Sequence, residues 1–191
     1  MNFEYTQGKI FEKSDLTVSP LAIGEYESCK FINCDFSNAN FSEFKFMSCE
    51  FINCNLSLAK LNKTVLQNVK FKDCKLLGLL FEKCNSFGLE LAFDTCNLNH
   101  SSFYRLKLKK TILKNSQLHE ADLSECDLSN SVFDSCDLSN TKFENTILEK
   151  ADFRGSFNFS IDPELNRIKK AKFSLSEVRG LLDKYDIEIE N

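Results

Sequence analysis

The sequence predicts an all-β solenoid, a chain wound into stacked coils around a solid interior. Three observations predict it. Large apolar residues return every five positions through most of the 191 residues. The place two residues before each of them is small or apolar and never charged. All 9 cysteines fall at that second place of the five-residue register, Cys84 before Ser86 where the first run fades out.

The first run is Tyr26, Phe31, Phe36, Phe41, Phe46, Phe51, Leu56, Leu61, Leu66, Phe71, Leu76 and Phe81. The second begins at Phe93 and continues through Leu98, Phe103, Leu108, Leu113, Leu118, Leu123, Leu128, Phe133, Leu138, Phe143 and Leu148 to Phe153. A period of five matches neither a helix at 3.6 nor a flat strand at 2. It matches a coil with short sides of five residues, the repeat unit of a solenoid. With the large residue called i, places i and i−2 point inward. The others face solvent or form the corner, and Lys, Asp, Glu and Asn fill many of them.

Taken in chain order, residues 1–23 precede the regular run. The stretch "LTVSPLAIGEY" holds Pro20 and Gly24 and predicts an irregular or strand-like N-terminal cap. Residues 24–173 form the repeat region. It is interrupted at 82–92, because Phe81 to Phe93 is twelve residues, two repeats plus two extra. Within "CNSFGLELAF", Phe87 has lost its inward slot, and Gly88 permits backbone conformations closed to other residues. Past Phe153 the register fails at Asn158 and Pro163 and returns at Ile168 and Phe173. Residues 174–191 leave the repeat. Ser174 and Glu177 have capping-box spacing, and Leu175, Val178, Leu181, Leu182 and Tyr185 would line one face of a short helix. Ile187 and Ile189 alternate with acids as an edge strand would.

The cysteines are Cys29, Cys34, Cys49, Cys54, Cys74, Cys84, Cys96, Cys126 and Cys136. Free cysteine packs as a small hydrophobe, so a buried small-residue column beside the Phe/Leu stack is expected. Structural zinc needs four convergent ligands, typically as C-x2-4-C pairs; the closest pairs here are C-x4-C, and His100 and His119 occupy outward places. The odd thiol count and a start, "MNFEYTQGKIFEK", without an apolar secretory core point to a reducing, cytoplasmic compartment rather than disulfides. No metal, cofactor or catalytic residue is expected. The chain shows no phosphate-binding glycine loop, no HExxH and no GxSxG. A net charge of −4 and a pI near 5.3 argue against direct nucleic-acid binding or attachment to an anionic membrane. No apolar run has the length of a membrane span.

The segments "CDFSN", "ANFSE", "CNLSL", "ADLSE", "CDLSN" and "ADFRG" resemble the pentapeptide-repeat family over about residues 24–175. That resemblance implies a right-handed quadrilateral β-helix with four pentapeptides per coil. At a rise of ~4.8 Å per coil, six to eight coils would make a rod of roughly 30–40 Å. The C-terminal pattern is similar to the bacterial Qnr, MfpA and McbG branch. In that branch a C-terminal helix makes a homodimer, and the acidic rod mimics DNA in the saddle of DNA gyrase or topoisomerase IV. The matching acids here are Glu120, Asp122, Glu125, Asp127, Asp134 and Asp137, between Ser116 and Thr141, where there is no Lys or Arg. Basic bands at Lys60–Lys75 and Arg105–Lys114 run against mimicry along the whole length. The two-residue break is nearer a kink than the projecting loops of Qnr-like proteins, which points toward the loopless MfpA-like pattern or another partner. A structural or adaptor scaffold binding some other protein is the competing reading.

Overall fold

A computed structural model describes residues 3–13 and 21–190. The chain is a right-handed quadrilateral parallel β-helix. Strands β1 (Glu4–Gln7), β2 (Ile10–Glu12), β3 (Gly24–Glu27), β4 (Lys30–Ile32), β5 (Lys45–Met47), β6 (Glu50–Ile52) and β7 (Val65–Gln67) alternate between two walls. They are followed by β8 (Val69–Lys72), β9 (Leu91–Asp94), β10 (Ile112–Lys114) and β11 (Val132–Asp134). One sheet runs β1-β3-β5-β7 and the other β11-β10-β9-β8-β6-β4-β2. The other two walls are ladders of single parallel bridges, such as Asp35–Asn55–Lys75–Asn97 and Ser102–Asp122–Lys142.

The sequence forces this winding through its corners. Residue i+2 has positive φ at nearly every repeat, as in Asn38 (58°), Glu43 (68°), Leu58 (59°) and Lys63 (56°). A left-handed third residue closes a tight turn, seen in the Ala39 N–H bond to Phe36 O and the Phe44 N–H bond to Phe41 O, both 3.0 Å. Such φ values are unfavourable outside Gly, and least so for Asn and Asp. They are sustained here because the corner N–H also bonds the next coil, as Asn38 N–H does to Ser57 O at 2.9 Å.

All 25 residues of the two runs are buried. On one wall Phe11, Phe31, Phe51, Phe71 and Phe93 stack ring on ring at 4.9, 4.7, 5.2 and 5.5 Å. Coil spacing and ring stacking therefore coincide. The i−2 column has a second property. Its side chains donate to the carbonyl of the large residue 23 positions earlier: Cys54 Sγ to Phe31 O at 3.2 Å, Thr64 Oγ1 to Phe41 O at 2.7 Å, Ser156 Oγ to Phe133 O at 2.9 Å. The place selects a small donor, which is why Cys, Ser and Thr share it. All nine cysteines are buried.

The repeat also reaches further toward the N-terminus than position 24. β1 pairs with β3 and β2 with β4, so of the irregular or strand-like forms expected here residues 4–12 take the strand-like one, as part of a coil. The Leu16–Pro20 part of the expected cap lies outside the described residues.

At the break, the coil-to-coil register changes from 20 (Phe51 opposite Phe71) to 22 (Phe71 opposite Phe93). The two extra residues leave the rod on one wall only. The β1-β3-β5-β7 sheet ends there, while the other sheet continues through β9. Gly88 has a φ of +68°, and a Cβ there would press on the Gln67 side chain. Phe87 is 82% exposed.

The C-terminal segment departs from the expected helix. Two 3-10 turns form, Val178–Leu181 and Asp183–Tyr185, and the first has no side-chain cap. An isolated helix of this length is marginal, and Gly180 lies in its middle. Gly180 is instead buried against Phe159, and its carbonyl accepts from Ile161 N–H at 2.9 Å. Leu181 packs on the core, Leu182 is half-buried, and Leu175, Val178 and Tyr185 are exposed, so these residues share no buried helix face. Ile187 and Ile189 are exposed and belong to no strand. Phe159 and Ile161, buried where the register fails, close the interior from below.

Candidate functional site

Five residues carry the chain one wall onward, so acids at successive repeats turn around the rod. The structure does not gather the six acids on one face. Asp122 sits in the Ser102–Asp122–Lys142 ladder and Asp127 in the Lys107–Asp127–Ile147 ladder. Asp134 is on β11, and Asp137 is in the Gln117–Asp137–Phe157 ladder. That is one aspartate per wall. Glu120 and Glu125 occupy corners, with φ of 55° and 56°. The arrangement is a collar.

The collar is also partly neutralised from the coil before it. Arg105 Nε donates to Glu125 Oε2 at 2.6 Å, and Tyr104 O–H donates to Glu125 Oε1 at 2.8 Å. These two donors hold the Glu125 carboxyl below the usual carboxylate range. Lys109 reaches Asp127 at 3.1 Å. Partial burial opposes ionisation of Asp127, but the Ser129 and Lys109 donors outweigh it and its carboxyl also falls below the ordinary range. Asn158 donates to Asp137 at 3.0 Å. The acidic band thus rests on the basic band as a ladder of pairs across coils, and exposed pairs of this kind contribute little stability.

Coil arithmetic also brings together residues that composition and motif reading leave apart. His100 and Glu120 are twenty apart and stack at one corner, with His100 Nδ1 3.1 Å from Glu120 Oε2. His119 Nδ1 lies 3.7 Å from Glu120 Oε1, and the two imidazoles are edge to face at 6.0 Å. The coil length, once known, is the signal that would have found them. Beside this corner a cleft of about 620 Å³, lined by His119, Asn140, Phe159, Arg179 and Asp183 among others, separates the rod from the C-terminal turns.

The register break forms the other special surface. Phe87 stands on a turn braced by Asn85 Oδ1, which accepts the Phe87 N–H at 2.9 Å. Beneath it, Lys70, Lys107, Lys109 and Lys110 line a shallow cleft with Val69, Leu91 and Ile112. The cysteine column lies away from all of these surfaces. Burial pushes the Cys49, Cys84 and Cys126 thiols up to about 12 and that of Cys136 to about 11, which removes them from thiolate chemistry. Among the described residues no helix is long and apolar enough to cross a membrane.

Comparison with known proteins follows the same lines. No curated protein sequence matches. Among solved structures, a trypsin-treated variant of QnrB1, a plasmid-mediated fluoroquinolone resistance protein, aligns with a TM-score of 0.62 at 18% identity, covering 97% of each chain. A second trypsin-treated variant gives 0.62 at 16% identity, over 97% of this chain and 98% of that one. HetL, a pentapeptide-repeat protein involved in heterocyst differentiation regulation in the cyanobacterium Nostoc sp., aligns at 0.43 and 16% identity over 91% and 89% of the two chains. The QnrB1 likenesses are likenesses of fold. The family profile described as "Pentapeptide repeat region" matches residues 25–91 and 90–157. With that profile spanning most of the coils, this chain belongs to the pentapeptide-repeat family.

Proposed function

We propose that the chain is a non-enzymatic scaffold that binds a protein partner along its walls. The observation that carries this reading is the filled interior: stacked rings and a hydrogen-bonded small-residue column occupy the space where a ligand cavity would lie. Chemistry is left to a rigid outer surface of alternating charge, which suits recognition of another macromolecule.

The finer reading makes that partner a type II topoisomerase, with the acids around Glu120–Asp137 entering the DNA-binding saddle. Likeness of fold to QnrB1 over 97% of both chains supports it. Duplex DNA carries one charge per ~1.7 Å, and a collar paired with Arg105 and Lys109 is much weaker than that. Shape therefore supports this partner more than charge does. The mixed surface favours the second reading, an adaptor for a different protein. Titrating the purified protein into DNA gyrase supercoiling and cleavage reactions, with and without a fluoroquinolone, separates the two. Inhibition or drug protection that is lost when Glu120, Asp122, Glu125 and Asp127 are reversed to Lys supports the topoisomerase reading. No effect at excess protein removes it and leaves the adaptor.

The same reading uses the C-terminal turns as a homodimer contact. Leu175 is 89% exposed, and Val178, Tyr185, Ile187 and Ile189 are exposed nearby. Apolar surface concentrated at one end suits a twofold contact. Sedimentation equilibrium of the wild type against Leu175→Asp/Val178→Asp tests it: a monomeric wild type ends this part of the reading.

A further inference from the structure

We propose that His100, His119 and Glu120 form a binding site for one divalent transition-metal ion, zinc by preference, on an outer corner of the rod. These are the only two histidines of the chain. They stand on successive coils, and the same carboxylate reaches toward both, at 3.1 and 3.7 Å. One ligand atom from each of the three residues lies within 4.8 Å of the other two. Around a tetrahedral zinc with bonds of ~2.0 Å, ligand atoms are roughly 3.3 Å apart. The residues are exposed or half-buried, so small side-chain rotations close that difference without moving the backbone.

The donor chemistry is that of zinc. Two imidazoles and one carboxylate form a borderline set that suits zinc, nickel or cobalt and does not suit calcium or magnesium, which take oxygen ligands. The backbone under the site is fixed. His119 N–H donates to Asn99 Oδ1 at 3.0 Å, and His100 N–H donates to His119 O at 2.9 Å. An outer partner is also in place, since the Asn140 amide lies 3.3 Å from His119 Nε2. With its oxygen turned to that nitrogen, the amide accepts Nε2–H and leaves Nδ1 as the ligand atom, the usual arrangement for a metal-bound histidine. The fourth position faces solvent beside the C-terminal cleft.

The test uses the untagged full-length protein, with zinc titrated by competition against a chromophoric chelator and cobalt added in parallel. The expected result is one ion per chain, with a visible cobalt spectrum of tetrahedral intensity. His100→Ala, His119→Ala and Glu120→Gln should each weaken binding by at least about tenfold. Because the three side chains lie outside the core, the metal-free variants should keep the wild-type melting temperature, so lost binding is not lost folding. Two outcomes overturn the proposal: no saturable binding, or binding of equal strength in the triple variant, which would put the ion elsewhere.

Discussion

Replacing Phe51 with alanine is the most direct test of how the interior is held. Phe51 is 1% exposed. It stacks on Phe31 at 4.7 Å and on Phe71 at 5.2 Å, and meets Phe36 and Phe46 edge to face. A buried Phe→Ala change costs about 3–5 kcal/mol. Aromatic pairs add about 0.5–1.5 kcal/mol beyond area burial, and four are lost here, which places the cost at the upper end, about 4–5 kcal/mol. At about 2–4 °C per kcal/mol for a chain of this size, the melting temperature should fall by roughly 8–20 °C. The matched control is Phe87→Ala, the same chemical change at a residue 82% exposed, which should stay within about 0.5 kcal/mol. Urea unfolding followed by far-ultraviolet circular dichroism measures both. A cost below about 2 kcal/mol for Phe51→Ala, or a larger cost for Phe87→Ala, would refute the five-residue register as the basis of the core.

Gly180→Ala should free the C-terminal turns, because the added Cβ meets the Phe159 carbonyl and ring. Faster trypsin cleavage after Arg179, with less than about 1 kcal/mol change in the coils, is the expected signature. Asn166→Leu removes the bond to Phe143 O at 2.8 Å and the acceptor for Thr146 N–H at 2.9 Å. With both backbone groups left buried and unpaired, urea titration should show a loss of about 2–4 kcal/mol. The nine thiols should resist a disulfide reagent at neutral pH in the folded protein and all react in denaturant. The Cys49, Cys84, Cys126 and Cys136 thiols, at about 11 to 12, exceed the ordinary 9.0, so at these four the folded state holds protons that the unfolded chain releases. The associated stability is present below pH 9 and lost as pH rises toward 12. A melting temperature flat from pH 8 to 12 would contradict that burial.

Much of the architecture was legible because the repeat is local. All 25 register positions and all nine cysteines are buried, since five residues suffice to set inward and outward. The donor role of the i−2 column was not legible, because its acceptor lies 23 residues away, as for Cys54 and Phe31. The same non-locality spread the six acids over four walls and two corners and paired His100 with Glu120. At the C-terminal end, local pattern gave the wrong element. The apolar spacing from Leu175 to Tyr185 reads as helix, but burial of Gly180 under Phe159 decides the conformation. Phe11, twenty before Phe31, already announced the early coil; Pro20 and Gly24 concealed it.

The break near Gly88 has a consequence for building on this protein. The chain absorbs a length that is no multiple of five by extruding it from one wall, and neighbouring coils remain bonded on the others, with Phe81 still stacked on Phe103 at 4.6 Å. The break is thus a natural splice point. A foreign peptide inserted between Phe87 and Gly88 would be displayed from a stiff mast with both of its ends anchored. Its length would be free of the period that constrains every other position in the rod.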